Sequence, residues 1–191
     1  MTVTDNTHSR LGNAFIARAI PTLIAAGVVT FSGDHGAVIG LVVFVGFAFL
    51  VSPVFLMTIA MVPLTGVART TTGIQAIATI TAGAIAAATL TGGLPTLIVV
   101  ISIWAAVTAA AELYAGYRAT DRVVAREWLT LGGFTALLAI VIAVIPMNDV
   151  YAVGIFGAYA TITGLFLVIA GLSLRADASA AHASPSTEKK A

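Results

Sequence analysis

The sequence predicts an all-α, polytopic membrane protein: six transmembrane helices as three parallel hairpin repeats, with both termini inside. Three observations predict it. The 191 residues are 59% hydrophobic and 9% charged, far from the balance of a soluble domain. The chain divides into six apolar stretches, each near the roughly 20 residues that cross a hydrocarbon core as a helix. The nine Lys and Arg residues avoid every second break between those stretches.

The first predicted span is 14–31. The polar segment 1–13 before it lacks the pattern of a cleaved signal peptide, so it reads as a cytoplasmic N-terminal segment. Arg18 lies about one turn into this span. The second span, 37–62, is long and contains Pro53, which predicts a tilt or a kink. The remaining spans are 73–90, 96–117, 128–145 and 151–174. Together, residues 14–175 form one membrane domain. Residues 176–191 are small and polar, which predicts a disordered cytoplasmic tail. A barrel is excluded, because its strands would alternate polar and apolar residues.

Charge sets the orientation. Arg10 and Arg18 precede or begin the first span. Arg69 lies between the second and third, and Arg118, Arg122 and Arg126 lie between the fourth and fifth. Arg175, Lys189 and Lys190 follow the sixth. The breaks around 32–36, 91–95 and 146–150 hold no cation. Cationic loops stay cytoplasmic. Scarce Lys beside abundant Ala, Val, Gly and Thr is a compositional sign of a GC-rich bacterial genome. The expected location is therefore a bacterial inner membrane, crossed several times.

The chain also repeats itself. Segments 19–31 (AIPTLIAAGVVTF), 76–88 (AIATITAGAIAAA) and 132–144 (GGFTALLAIVIAV) are each followed by a turn and a second helix. The spacing is roughly 57 residues, within the uncertainty of boundary assignment. Repeat bounds fall near 14–69, 70–126 and 127–175. Each unit has two spans, so the units are parallel, related by an axis along the membrane normal.

Small residues mark the faces where membrane helices approach closely. In the sixth helix Gly157, Thr161, Gly164 and Gly171 share a stripe, joined by Gly154, with Ile155, Tyr159, Ile162 and Phe166 opposite. In the third, Thr79, Gly83 and Ala87 recur every four residues against Ile74, Ile77 and Ile85. The small faces predict helix packing, with lining a passage as the alternative, and the large faces opposite predict contact with lipid. In the fourth helix Glu112 shares a face with Ala105, Thr108, Ala109 and Gly116, so it points at protein. Its depth matches that of Arg18, and a membrane-buried charge demands a partner. An Arg18–Glu112 contact follows, structural or proton-responsive; two residues snorkelling separately to the interface is the other reading.

Asp34, His35 and Asp149 occupy the cation-free loops. A His beside carboxylates changes charge near neutral pH, which would suit an acid-sensitive outer face; turn and cap roles for the two Asp are the better-supported reading. On the inner face Arg118, Arg122 and Arg126 form a cationic loop able to attract anionic lipid, and they also set topology. Trp128 and Tyr117 read as interfacial anchors.

Several classes lack support. A net charge of +1 gives no case for nucleic acid. The absence of Cys removes disulfides and thiolate metal sites. The three His, at positions 8, 35 and 182, do not make a metal set. No catalytic motif or phosphate-binding Gly loop is present. The sequence calls for no cofactor and names no small-molecule ligand.

The segment 104–118 (WAAVTAAAELYAGYR), then Arg126–Glu127–Trp128, LGGF at 131–134 and VIP at 144–146, resemble the hairpin repeat of the HdeD family of bacterial membrane proteins. The resemblance covers roughly 14–175 and is strongest over the last two hairpins. Members of that family are associated with resistance to acid stress, and the family carries no established catalytic residues. The resemblance thus implies a non-enzymatic membrane protein linked to acid or envelope stress, with membrane lipids and further copies of itself as the expected partners. The alternatives are an accessory subunit of a larger membrane complex and a small channel or transporter.

Overall fold

A computed structural model describes residues 3–64 and 66–183. It is all-α, with no strand among the described residues. The helices are α1 (Val3–Phe31), α2 (Ala37–Met61), α3 (Gly66–Ala88), α4 (Gly93–Arg118), α5 (Arg122–Val144) and α6 (Asp149–Ala183), with a 3-10 turn at Leu90–Gly92. All six are long and apolar enough to cross a membrane.

The helices run past the spans that apolarity marks. α1 starts at Val3 rather than 14, and α6 continues to Ala183, where a disordered tail was expected from 176. Hydropathy registers the hydrocarbon-soluble part of a helix, whereas backbone hydrogen bonding continues into polar sequence beyond it. Residues 184–191, with Lys189 and Lys190, lie outside the described residues. Pro53 lies within a continuous α2.

Consecutive helices form a closed ring, because α1 also packs against α6. The most extensive interfaces are α1–α6, α4–α5 and α2–α3; the hairpin partners α1–α2, α3–α4 and α5–α6 touch less. Helices α2, α4 and α6 also meet one another at the centre. Phe44 and Phe47 from α2, Trp104 from α4, and Phe156 and Tyr159 from α6 interlock there. Their ring centroids lie 5.3–6.3 Å apart, mostly edge to face, the arrangement the aromatic quadrupole favours.

Glycine sets the tightest interfaces. A Cβ on Gly157 would meet the Val29 side chain, one on Gly164 would meet Leu23, and one on Gly171 would fall 2.7 Å from the Gly12 carbonyl oxygen. The α6 stripe is thus the seat of α1. Thr161, half-buried, borders it. Gly154 is exposed with open space beside it. It lies almost a turn beyond Gly157, near where α1 ends at Phe31, so its assignment to the packed face is corrected. On α3, Thr79 and Gly83 are buried, and Gly83 faces Ala48 of α2. Ala87 is exposed and Ala86 takes its place. A four-residue step overshoots a full turn by about 40°, so two steps carry Ala87 off the stripe.

Tyr159 corrects another expectation. It was grouped with the lipid-facing side of α6, yet it is buried. A central helix packs on two sides, so the face opposite its glycines meets α2 and α4 instead of lipid. Ile162, on the same large-residue side, is 53% exposed. Ile74, Ile77 and Ile85 are exposed as expected.

The neighbouring Gly132 and Gly133 provide a test. A Cβ on Gly132 would sit 2.9 Å from the Leu113 backbone nitrogen; one on Gly133 meets nothing within 4 Å. Gly132→Ala should destabilise the bundle by about 1–3 kcal/mol through overpacking. Gly133→Ala should be neutral or stabilising by up to about 1 kcal/mol. Thermal unfolding in detergent would distinguish them.

Candidate functional site

The cationic end of the bundle comprises the start of α1, the α2–α3 and α4–α5 connections, and the far end of α6. Beneath it lies a buried ion pair. Arg18 Nη2 donates to Glu112 Oε1 at 3.1 Å. Glu112 is fully buried and the Arg18 side chain is 9% exposed. The guanidinium carbon also lies 4.5 Å from the Phe55 ring centroid, a cation–π contact. Glu112 comes from the face of α4 that carries Ala105, Thr108, Ala109 and Gly116, all buried, while Ile103, Val107 and Tyr114 are exposed. Gly116 lets α5 close on this face, since a Cβ there would strike Leu129.

The second carboxylate oxygen engages α5 and α6. Thr135 Oγ1 donates to Glu112 Oε2 at 2.8 Å, and lies 3.0 Å from the Leu131 carbonyl and 3.2 Å from Tyr159 OH. One hydroxyl carries one hydrogen. With Glu112 ionised, Thr135 donates to it and Tyr159 donates to Thr135. With Glu112 protonated, the carboxyl donates to Thr135, which then turns its hydrogen to Leu131. The hydrogen bonds of Glu112, Thr135 and Tyr159 can be satisfied with either proton count by reversing one bond, but protonation leaves the buried Arg18 charge uncompensated. Sequence alone missed Thr135 and Tyr159, because a hydroxyl inside a span normally bonds its own helix.

Trp128 closes over this layer. Its place at the start of the fifth apolar stretch predicts an interfacial anchor, but it is buried and packs edge-on against Phe15, with centroids 6.0 Å apart. Continuation of α5 back to Arg122 draws residue 128 inside the bundle. Tyr117 is 80% exposed.

At the cationic surface, Arg118, Arg122 and Arg126 are all exposed. Arg126 Nη2 reaches Glu127 Oε1 at 3.1 Å, with Glu127 itself buried. Asp121 caps α5, accepting from the Val123 and Val124 N–H groups. His8 Nε2 donates to its other oxygen at 2.8 Å, tying α1 to the α4–α5 connection. Partial burial pushes the Asp121 carboxyl up, but the Val124, Val123 and His8 hydrogen bonds outweigh it and hold the pKa below the usual value. A groove of about 400 Å³ opens beside this pair, bordered by Pro63, Val67 and Arg118.

At the opposite end, Asp34 accepts from Gly36 N–H at 2.8 Å and Asp149 Oδ2 accepts from Ala37 N–H at 3.0 Å. Asp149 thereby caps α2 from the start of α6. These carboxylates bond backbone amides, and His35, half-buried beside Asp34 in sequence, is not the partner in either bond. Asn148 Oδ1 accepts from Tyr151 N–H to cap α6.

Among the described residues, no group of three or more His, Cys, Asp or Glu side chains comes together as a metal set. No family model, curated protein or solved structure matches the chain.

The ion pair makes a sharp prediction. Glu112→Ala or Arg18→Ala alone leaves a buried charge unpartnered, at about 3–5 kcal/mol. The double variant should be markedly less destabilised than the sum of the singles; additive losses in detergent unfolding would refute the coupling.

Asp121 makes a second. Because its folded pKa is lowered, its contribution is full above the unfolded pKa of about 3.9 and is lost as pH falls through the lower folded value. Asp121→Asn should retain most of the cap while flattening that acid-side loss; Asp121→Ala should cost about 1 kcal/mol at neutral pH as well. Unfolding midpoints across pH would check both.

Proposed function

We propose that this is a non-enzymatic, multi-pass inner-membrane protein of the HdeD type, contributing to acid or envelope stress tolerance as a sealed helical bundle. The stress role comes from the resemblance carried by 104–118 and the motifs that follow it. The physical observation that carries the sealed-bundle reading is the aromatic cluster of Phe44, Phe47, Trp104, Phe156 and Tyr159. A channel or carrier needs a polar path through the membrane centre. Here large apolar rings from all three central helices fill the point where such a path would run.

The same cluster supports three parallel repeats. Phe47, Trp104 and Tyr159 come from the second helix of each hairpin, separated by 57 and 55 residues. Each such helix also packs most extensively on the first helix of the next unit, with α6 returning to α1. The one-sided distribution of Arg supports cytoplasmic termini and an inner-leaflet position for Arg118, Arg122 and Arg126, where anionic lipid gathers.

Orientation is tested with single thiols, since the chain has no Cys. An impermeant reagent on intact cells should label His35→Cys and Met147→Cys and spare Thr120→Cys; the reverse pattern would overturn the topology. For function, loss of the protein should lower survival in acid, and restoring it should rescue. Purified protein in proteoliposomes should conduct no solute above empty vesicles. Solute flux abolished by Glu112→Gln would replace this reading with a transporter.

A second reading, an accessory subunit of a larger membrane complex, is favoured by one feature. The α3–α4 pair leaves a groove of about 400 Å³ lined by Ile74, Ile77, Ile85, Ile103 and Val107. A stoichiometric foreign subunit co-purifying in mild detergent would favour it; a homo-oligomer would not.

A further inference from the structure

Gln75 is the least explained side chain in the bundle. It is fully buried on α3, and neither its amide nitrogen nor its amide oxygen has a hydrogen-bond partner. Thr108 on α4 is 1% exposed, and its hydroxyl is likewise unpartnered. The Ser102 and Thr163 hydroxyls are unpartnered too; Gln75 and Thr108 are the two orphans that fall level with each other on neighbouring helices, and buried polar groups are nearly always bonded, an unbonded one carrying a heavy desolvation cost.

The two orphans lie at the same depth. Trp104 Nε1 donates to Thr79 Oγ1 at 3.1 Å, which sets the register between α3 and α4. The helices are joined by the short turn at Leu90–Gly92 and run in opposite directions. Four residues back along α3 from Thr79 is Gln75. Four residues on along α4 from Trp104 is Thr108. The lipid side of the same helix pair agrees: Ile74 and Val107, the residues just before each orphan, border the same groove. Both of those are exposed, at 43% and 40%. Gln75 and Thr108 therefore turn away from lipid into the interior.

We propose that Gln75 and Thr108 hold an internal water molecule between α3 and α4. The chemistry fits one water. The Gln75 oxygen accepts, its nitrogen donates, and the Thr108 hydroxyl does either, which supplies the two to four partners a buried water requires. A bound solute with a charge is disfavoured, since neither side chain is ionisable and the nearest carboxylate, Glu112, is already bonded through both oxygens to Arg18 and Thr135. Trp104, bonded to Thr79, closes the site toward the aromatic centre. Glu112 stands one turn from Thr108 on α4, so the water extends the polar layer from α1, α4, α5 and α6 onto α3. This inference does not depend on the stress role.

Two measurements test it on the full chain in detergent. The first is thermal unfolding of Gln75→Leu, Thr108→Val and the double variant. A hydrated site predicts that each single lowers the midpoint, by about 2–4 °C for each kcal/mol lost in a chain of this size, and that the double falls by less than the sum. A dry site predicts the opposite: Gln75→Leu removes an unsatisfied amide and raises the midpoint. A rise, or strictly additive losses, overturns the proposal. The second needs no variant. Pulsed X-ray radiolysis in H2(18)O oxidises side chains beside bound water. Trp104, 3% exposed, should take up 18O at a rate that, after normalisation to the intrinsic reactivity of indole and phenyl rings, stands well above buried Phe44 and Phe156. Uptake no faster than at those residues overturns the proposal.

Discussion

Everything in this bundle is subordinate to keeping one carboxylate and one guanidinium together away from water. Glu112 has no route to solvent, so its neighbours are dictated: Arg18 on one oxygen, Thr135 on the other. Those two bonds recruit α1 and α5 to α4, and Tyr159 brings in α6. Four of six helices thus have fixed rotation about their axes before apolar packing is considered. In a bilayer this matters more than in water, because hydrophobic burial does little to choose between one helix orientation and another.

Close packing then completes what the polar layer begins. Glycine admits α1 against α6 and α5 against α4, with near contact between backbones. The centre is treated differently, with bulky aromatics where three helices converge. The result is a division along the membrane normal: a polar layer toward the cationic end and a ring-filled plug beyond it. Thr135 gives the polar layer its one adjustable part, a hydroxyl able to serve as donor to Glu112 or as acceptor from it. The Asp residues of the opposite end have static work, since both cap backbone amides.

Much of the architecture was legible. Helix number came from the lengths of apolar sequence, and the partner of Glu112 came from matching depths and the cost of an isolated charge. The glycine face of α6 was legible because α1 lies along it for most of its length. What stayed hidden shares a cause: linear periodicity describes one helix, while burial depends on how many neighbours surround it. Tyr159 and Trp128 look like surface aromatics by spacing and are interior because α6 is central and α5 begins early. Ala87 failed through the drift of a four-residue stripe. Gln75 is the one primary amide in α3; it carries no charge, so neither the cation pattern nor the cost of an isolated charge singles it out.

The closure of the ring by α1 and α6 has a consequence for biosynthesis. The broadest interface joins α1 to α6, which follows it by five helices. During translation α1 enters the bilayer with its main contact surface uncovered and with Arg18 still waiting for a carboxylate that arrives three helices later. The nascent protein must therefore be shielded at the insertion machinery, or kept shallow near the lipid headgroups, until α4 and then α6 have been made.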